Sequence, residues 1–224
     1  GWRVLQLHTI RRDGRCTCGN PECGNSTGKH PWGKLVTNGL LSASTDPAQI
    51  ETWWAARPGA NVGVRTGRGL VVVDIDGAEN AATFARIAAE HSAKFPPTLS
   101  VRTGRGFHFY FAGELEGSPT IEGILLRGEG GYVVAPPSRH YSGREYAWTD
   151  AAMAPAPLPD WFAQWIAKHR DDTPAPQAVP EAAIDLGPRP RWLTNAADVT
   201  DRALDQVRDE RATFINVVRE LSRI

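Results

Sequence analysis

The sequence predicts an α+β domain built on a sheet of mixed or antiparallel pairing, and three observations carry that prediction. Strand signals dominate residues 62–148, in "NVGVRT", "LVVVDI", "TLSVRT", "FHFYF", "ILLRG", "YVVAP" and "EYAW". Such runs of β-branched and aromatic residues, bounded by glycine, proline and acids, are what strands and their turns require. One alanine-rich helical segment, "ENAATFARIAAEH" (79–91), interrupts the series between the second and third runs. "RTGRGF" (102–107) is a glycine turn that folds two neighbours into a hairpin. Strand, helix, strand, strand is the order of an α+β sheet and not of a doubly wound parallel one.

The elements follow in chain order. Residues 1–60 are rich in turns and hold all three cysteines. Within them, "TDPAQIETWWAARP" (45–58) reads as a short helix, with Asp46 as its cap, Pro47 in its first turn and Pro58 past its end. "LPDWFAQWIAKHR" (158–170) is a helix that closes the domain, which thus spans residues 1–170. Residues 171–190 carry five prolines and no periodicity, the composition of a linker. Residues 191–224 are helical in pattern. Their arginines, Arg191, Arg202, Arg208, Arg211, Arg219 and Arg223, alternate with acids, as on a solvated helix.

Composition limits the function. Of 224 residues, 41% are hydrophobic and 22% charged, the profile of a globular domain large enough to bury a core. Twenty-five basic residues balance 25 acidic ones, so attraction to nucleic acid must rest on local cationic clusters. No apolar run is long enough to span a membrane, and the start has no signal-peptide pattern. Three clustered cysteines argue for a metal site in a reducing, cytoplasmic compartment over a disulfide framework.

"VVVDIDGA" (71–78) is the centre of the functional reading. Alternation in a strand puts Asp74 and Asp76 on one face. Two carboxylates held side by side repel each other, and a divalent cation such as Mg²⁺ or Mn²⁺ removes the conflict. A strand end that meets water is the plainer account. Phosphatases of the haloacid dehalogenase type end a strand in Asp-x-Asp-Gly-Thr, with the first Asp as nucleophile. Here Ala78 replaces that Thr, and the later acidic pair, in "RDDT" (170–173), follows a helix.

In "SVRTGRGFHFYF" (100–111), Phe107, Phe109 and Phe111 share a core face, and His108 and Tyr110 share the other. Gly104 and Gly106 allow a close backbone approach. Arg102, Thr103 and Arg105 add cations and a hydroxyl suited to phosphate. "CTCGNPECGNSTGKHP" (16–31) supplies Cys16, Cys18, Cys23 and His30, three thiolates and an imidazole that complete a closed tetrahedral zinc shell with a structural role.

The order of these segments, from "GKHP" through "ANVGVRTG", "VVVDIDG" and "RTGRGFHFYF" to "LRGEGGYVVAPPSRHYSGREYAW", resembles the bifunctional primase-polymerase (prim-pol) domain of the archaeo-eukaryotic primase superfamily, of the plasmid and phage replication type. The resemblance covers about residues 1–150. It implies an RRM-like catalytic sheet, a zinc element, and template-directed nucleotidyl transfer from dNTPs or NTPs with two Mg²⁺ or Mn²⁺ ions held by Asp74 and Asp76. It makes His108 the metal-side histidine that contacts the nucleotide. It brings Ser138 and His140, of "GGYVVAPPSRH", near the nucleotide, and Arg102 and Arg127 to its phosphates. Lys34 is a weaker candidate for a phosphate or template contact. The implied partners are a single-stranded DNA template and a helicase domain beyond Ile224; the implied setting is the cytoplasm of a bacterium, an archaeon or a phage-infected host. The helical tail resembles the start of the small helical bundle that follows this domain.

One position departs from the family. Two residues before the Arg-Gly of "GILLRGEGG", where a third acid is usual, stands Leu125. Glu122 and Glu129 are the nearest acids, and Glu129 has the parity of Leu125 and Arg127, so it is the candidate third metal ligand if the glycines bend the strand. A non-catalytic nucleic-acid-binding module is the competing reading that Leu125 favours.

Overall fold

A computed structural model describes residues 1–170; the expected linker (171–190) and helical tail (191–224) lie outside the described residues. The described chain is α+β, with two sheets and three α-helices. The smaller sheet is antiparallel, in the order β1 (Val4–Leu7), β2 (Asn61–Arg65), β8 (Tyr132–Ala135). The larger runs β6 (Thr120–Ile121), β7 (Ile124–Arg127), β3 (Leu70–Asp76), β5 (Gly106–Ala112), β4 (Ser100–Arg102), β9 (Ala147–Trp148), all antiparallel. A short β10 (Ala156–Pro157) pairs parallel with β5 beyond the end of β4. The helices are α1 (Pro47–Ala56), α2 (Gly77–Glu90) and α3 (Asp160–Arg170).

The alternation of β3 decides how the layers stack. Val71, Val73 and Ile75 face one way. They pack with Phe111 and Leu126 against Ile87 of α2 and Phe162, Trp165 and Ile166 of α3. Val72 faces the other way. With Tyr110 and Val101 it meets Val4, Val62, Val64 and Val133 of the smaller sheet, and Trp53 and Trp54 of α1 close that core. Each such side chain, fully buried, contributes about 1.5–3 kcal/mol through area removed from water. The large sheet is therefore covered on both faces. The second core runs out beyond Val72, and there Asp74 and Asp76 emerge.

Several expectations hold. Asp46 caps α1, with Ala48 N donating to its Oδ1 at 3.0 Å. The helices read at 45–58, 79–91 and 158–170 form within a few residues of those limits. Among the described residues no helix is long and apolar enough to cross a membrane.

Three expectations change. Residues 1–60, read as turns, contain β1, whose Gln6 is buried and donates Nε2 to Trp53 O at 2.7 Å. That polar residue looks like loop in the sequence but is satisfied by α1. The single sheet becomes two, because "NVGVRT" pairs with β1 on one side and with "YVVAP" on the other. The phenylalanine face is core only in part. Phe111 is buried, but Phe107, at the hairpin mouth, remains 41% exposed.

Candidate active site

Asp74 and Asp76 close β3, and the register on both sides fixes their neighbours. Asp74 lies opposite His108 on β5 and Leu125 on β7; Asp76 lies opposite Gly106. Directly paired residues project to the same side. Leu125, Asp74 and His108 thus form one row across the sheet. A cleft of about 660 Å³ opens over this row, lined by Asp74, Asp76, His108, Leu125 and the cations Lys29, Arg105 and Arg127.

The two carboxylates differ in environment. Asp74 Oδ1 is buried and has no hydrogen-bond partner, although His108 Nε2 stands 3.5 Å away. Asp76 occupies the N-cap of α2 without capping it; its Oδ2 instead pairs with Arg105 Nη2 at 2.6 Å. Two acids on one face, one of them with an unsatisfied buried oxygen, fit a hard divalent cation. Burial lowers the pKa of His108 against the opposing pull of Asp74 and Asp76, which leaves the imidazole neutral at neutral pH. A neutral ring beside Asp74 adds no charge to compete for that carboxylate.

The loop of three cysteines and one histidine read as a zinc loop is brought together as the spacing requires, an arrangement compatible with structural zinc. The ligand atoms of Cys16, Cys18, Cys23 and His30 all lie within 4.8 Å of one another. Cys18 and Cys23 Sγ are 3.1 Å apart, and His30 Nε2 is 3.4 Å from both Cys16 and Cys23 Sγ. A tetrahedral zinc shell has ligand-to-ligand edges of roughly 3.4–3.8 Å, so little movement closes it. Burial, together with the thiols of Cys18 and Cys16, pushes the Cys23 thiol up; a cation among the sulfurs reverses that cost. Burial lowers His30, keeping it in the neutral form that coordinates.

Other predicted residues divide. Arg105 and Arg127 line the cleft. Arg102 does not: it shares a row with Phe107 and Ile75, whose side chains face α2, and it is exposed on that opposite side. Thr103 is buried, and its Oγ1 accepts from the backbone N–H groups of Arg105 and Gly106 at 3.2 and 2.9 Å, so it shapes the turn. Ser138 is buried as well and accepts from Val62 N at 2.8 Å, tying its loop to β2. His140 stands one layer behind the cleft, bonded to Ser142 Oγ at 2.8 Å and pressed on Gly104. Burial and the cation of Lys29 lower its pKa to about 4.

Glu129 is placed elsewhere. Its Oε1 accepts from Arg65 Nη2 at 3.0 Å, and it is not among the residues of the cleft. Among the described residues the one group of three or more clustered metal-ligating side chains is the zinc loop, so Glu129 does not join Asp74 and Asp76. The Glu129 backbone N–H donates to Leu115 O at 2.8 Å. Lys34 is exposed and away from the cleft. The lysine that does enter is Lys29, which directly precedes His30 in "GKHP" and has no local pattern in the sequence that marks it as facing the acids. Tyr132, Tyr146 and Ser118 line the cleft too. Tyr146 lies in the strand signal "EYAW", and nothing local marks it as inward-facing.

A family model described as bifunctional DNA primase/polymerase, N-terminal, matches residues 1–161. No curated protein matches the chain. The match takes in both the zinc loop and the acid pair, and the chain belongs to the bifunctional DNA primase/polymerase family, with a DNA primase/polymerase function of the nucleotidyltransferase class.

Proposed function

We propose that the cleft is the site of template-directed nucleotidyl transfer from dNTPs or NTPs, serving plasmid or phage replication in the cytoplasm. The observation that carries the reading is the pairing of Asp74 and Asp76 on one face of β3, with Asp74 Oδ1 buried and unsatisfied, in a cleft that also holds Arg105 and Arg127. Asp74 and Asp76 are the residues that would hold Mg²⁺ or Mn²⁺. The chemistry such ions supply is Lewis-acid stabilisation of charge on the attacking and leaving oxygens. Arg127 projects from the row next to Asp74 and meets the polyphosphate as a fixed cation. Arg105 balances Asp76 until an incoming phosphate competes for its guanidinium. His108, neutral and lining the cleft beside Asp74, offers its one ring N–H to a phosphate oxygen.

The test is extension of a primed single-stranded template with labelled nucleotides and Mg²⁺ or Mn²⁺. Asp74→Ala and Asp76→Ala should each lower the rate by roughly a thousandfold or more with melting temperature retained, since about 4 kcal/mol of transition-state stabilisation is removed. Full extension by Asp74→Ala would remove this mechanism. Leu125 at the position of the usual third acid favours a second reading, a nucleic-acid-binding module without catalysis. It predicts template binding with no extension by the unaltered chain.

A further inference from the structure

The zinc loop is a wall of the cleft. Asn25, Ser26 and Lys29, all between or beside its ligands, line the same cavity as Asp74 and Asp76. The segment that carries Lys29 is clamped at three successive carbonyls, one to each strand region of the smaller sheet. Gly28 O accepts from Asn61 Nδ2 at 2.8 Å, on β2. Lys29 O accepts from the Tyr132 hydroxyl at 3.0 Å, on β8. His30 O accepts from His8 N at 2.9 Å, just past β1. The next residue but one is held too, with Trp32 N donating to Gln6 O at 3.0 Å. From the other side His30 belongs to the zinc shell. The backbone at Lys29 is thus fixed from both ends.

The side chain so placed is a cation with no counter-ion of its own. Among the described residues no carboxylate lies within 4.0 Å of Lys29 Nζ, which stands 5.6 Å from the centre of the Tyr141 ring. Arg105, by contrast, is already paired with Asp76. An unpaired ammonium in a cleft whose floor holds two acids is arranged for an anion that arrives with its own cations. A nucleoside triphosphate accompanied by divalent ions is such an anion.

We propose that Lys29 is a nucleotide-binding residue that contacts the polyphosphate, and that the zinc loop serves as the platform presenting it, so that zinc occupancy sets nucleotide affinity. This rests on the nucleotidyl-transfer reading above. The loop then has a part in substrate binding that a purely structural zinc site lacks.

The experiment is calorimetric titration with dATP and Mg²⁺, without template, of the full chain, with zinc content measured by elemental analysis and fold by circular dichroism. Lys29→Met should raise the dissociation constant about tenfold, the loss expected for one charge-assisted contact, and Lys29→Arg should recover most of it. Stripping zinc from the unaltered chain should weaken dATP binding by a similar factor, and stripping it from Lys29→Met should add little, because the platform then has nothing to present. Unchanged affinity in folded Lys29→Met overturns the proposal. So does zinc loss that weakens both proteins equally. If stripping unfolds the chain, the Lys29→Met and Lys29→Arg pair still decides whether Lys29 is a contact. An unaltered chain that binds no dATP overturns the nucleotidyl-transfer reading itself, and this proposal with it; an Asp74→Ala protein that keeps dATP affinity while Lys29→Met loses it separates the two.

Discussion

Leu125 faces Asp74 across the β3–β7 pair and is a wall of the cleft, not a core side chain. An acid there would stand beside the pair already present and add a direct oxygen ligand. Leu125→Asp should therefore lower the Mg²⁺ concentration for half-maximal extension by roughly three- to tenfold, with the fold retained because the position is open to the cleft. A folded Leu125→Asp protein with unaltered rate and metal dependence would refute this. Glu129→Gln should change extension by less than about twofold, since its carboxylate serves Arg65 and lies outside the cleft. At this scale the sequence was informative where chemistry is local. The zinc ligands and the acid pair follow from spacing and alternation. Arg102 and Lys29 do not: which arginine of the hairpin faces Asp76 depends on register across three strands, and the aim of Lys29 depends on clamps that Asn61 and Tyr132 place on Gly28 and Lys29 from 33 and 103 positions away.

The hairpin of β4 and β5 locks the acid pair through its glycines. A Cβ on Gly106 would lie 1.8 Å from Ile75 O, and that carbonyl cannot retreat without dragging Asp76 with it. Gly106→Ala should cost roughly 3 kcal/mol or more and abolish extension. Thermal melting and the extension assay together check this; a stable and active Gly106→Ala protein would mean that the end of β3 is free to move. The glycine turn and the alternation of β3 were legible because each is written within a dozen residues. The second sheet was not, because β1, β2 and β8 are separated by more than fifty residues at each step and recognise one another only through a shared core. With both faces of the large sheet buried, the polar-apolar contrast that marks a half-exposed sheet is absent there, and Tyr110, on the face opposite the phenylalanines, is fully buried under Trp2.

The whole molecule should be sensitive to acid. His108 and His140 are both buried, and burial lowers the pKa of each, that of His140 to about 4. In the unfolded chain they titrate near 6.5. Below that pH the unfolded state binds protons that the folded state does not, so stability is full above about pH 6.5 and falls as pH drops toward 4. His140 alone should account for roughly 2 kcal/mol by pH 5. Denaturation of the unaltered chain and of His140→Gln from pH 7 to pH 5 should give curves that converge; parallel curves would count against a neutral buried imidazole. The stacking of the layers has one more effect on the chemistry. Val72 and Asp74 stand two residues apart on one face, about 7 Å, so a dry interior and a wet site share a wall. The cleft charges act at a dielectric boundary, with apolar packing beneath them and solvent on the open side alone. A lesion at Tyr110 or Val72 that admits water beneath Asp74 would then weaken the grip of the cleft on an incoming anion while the rest of the molecule stayed folded.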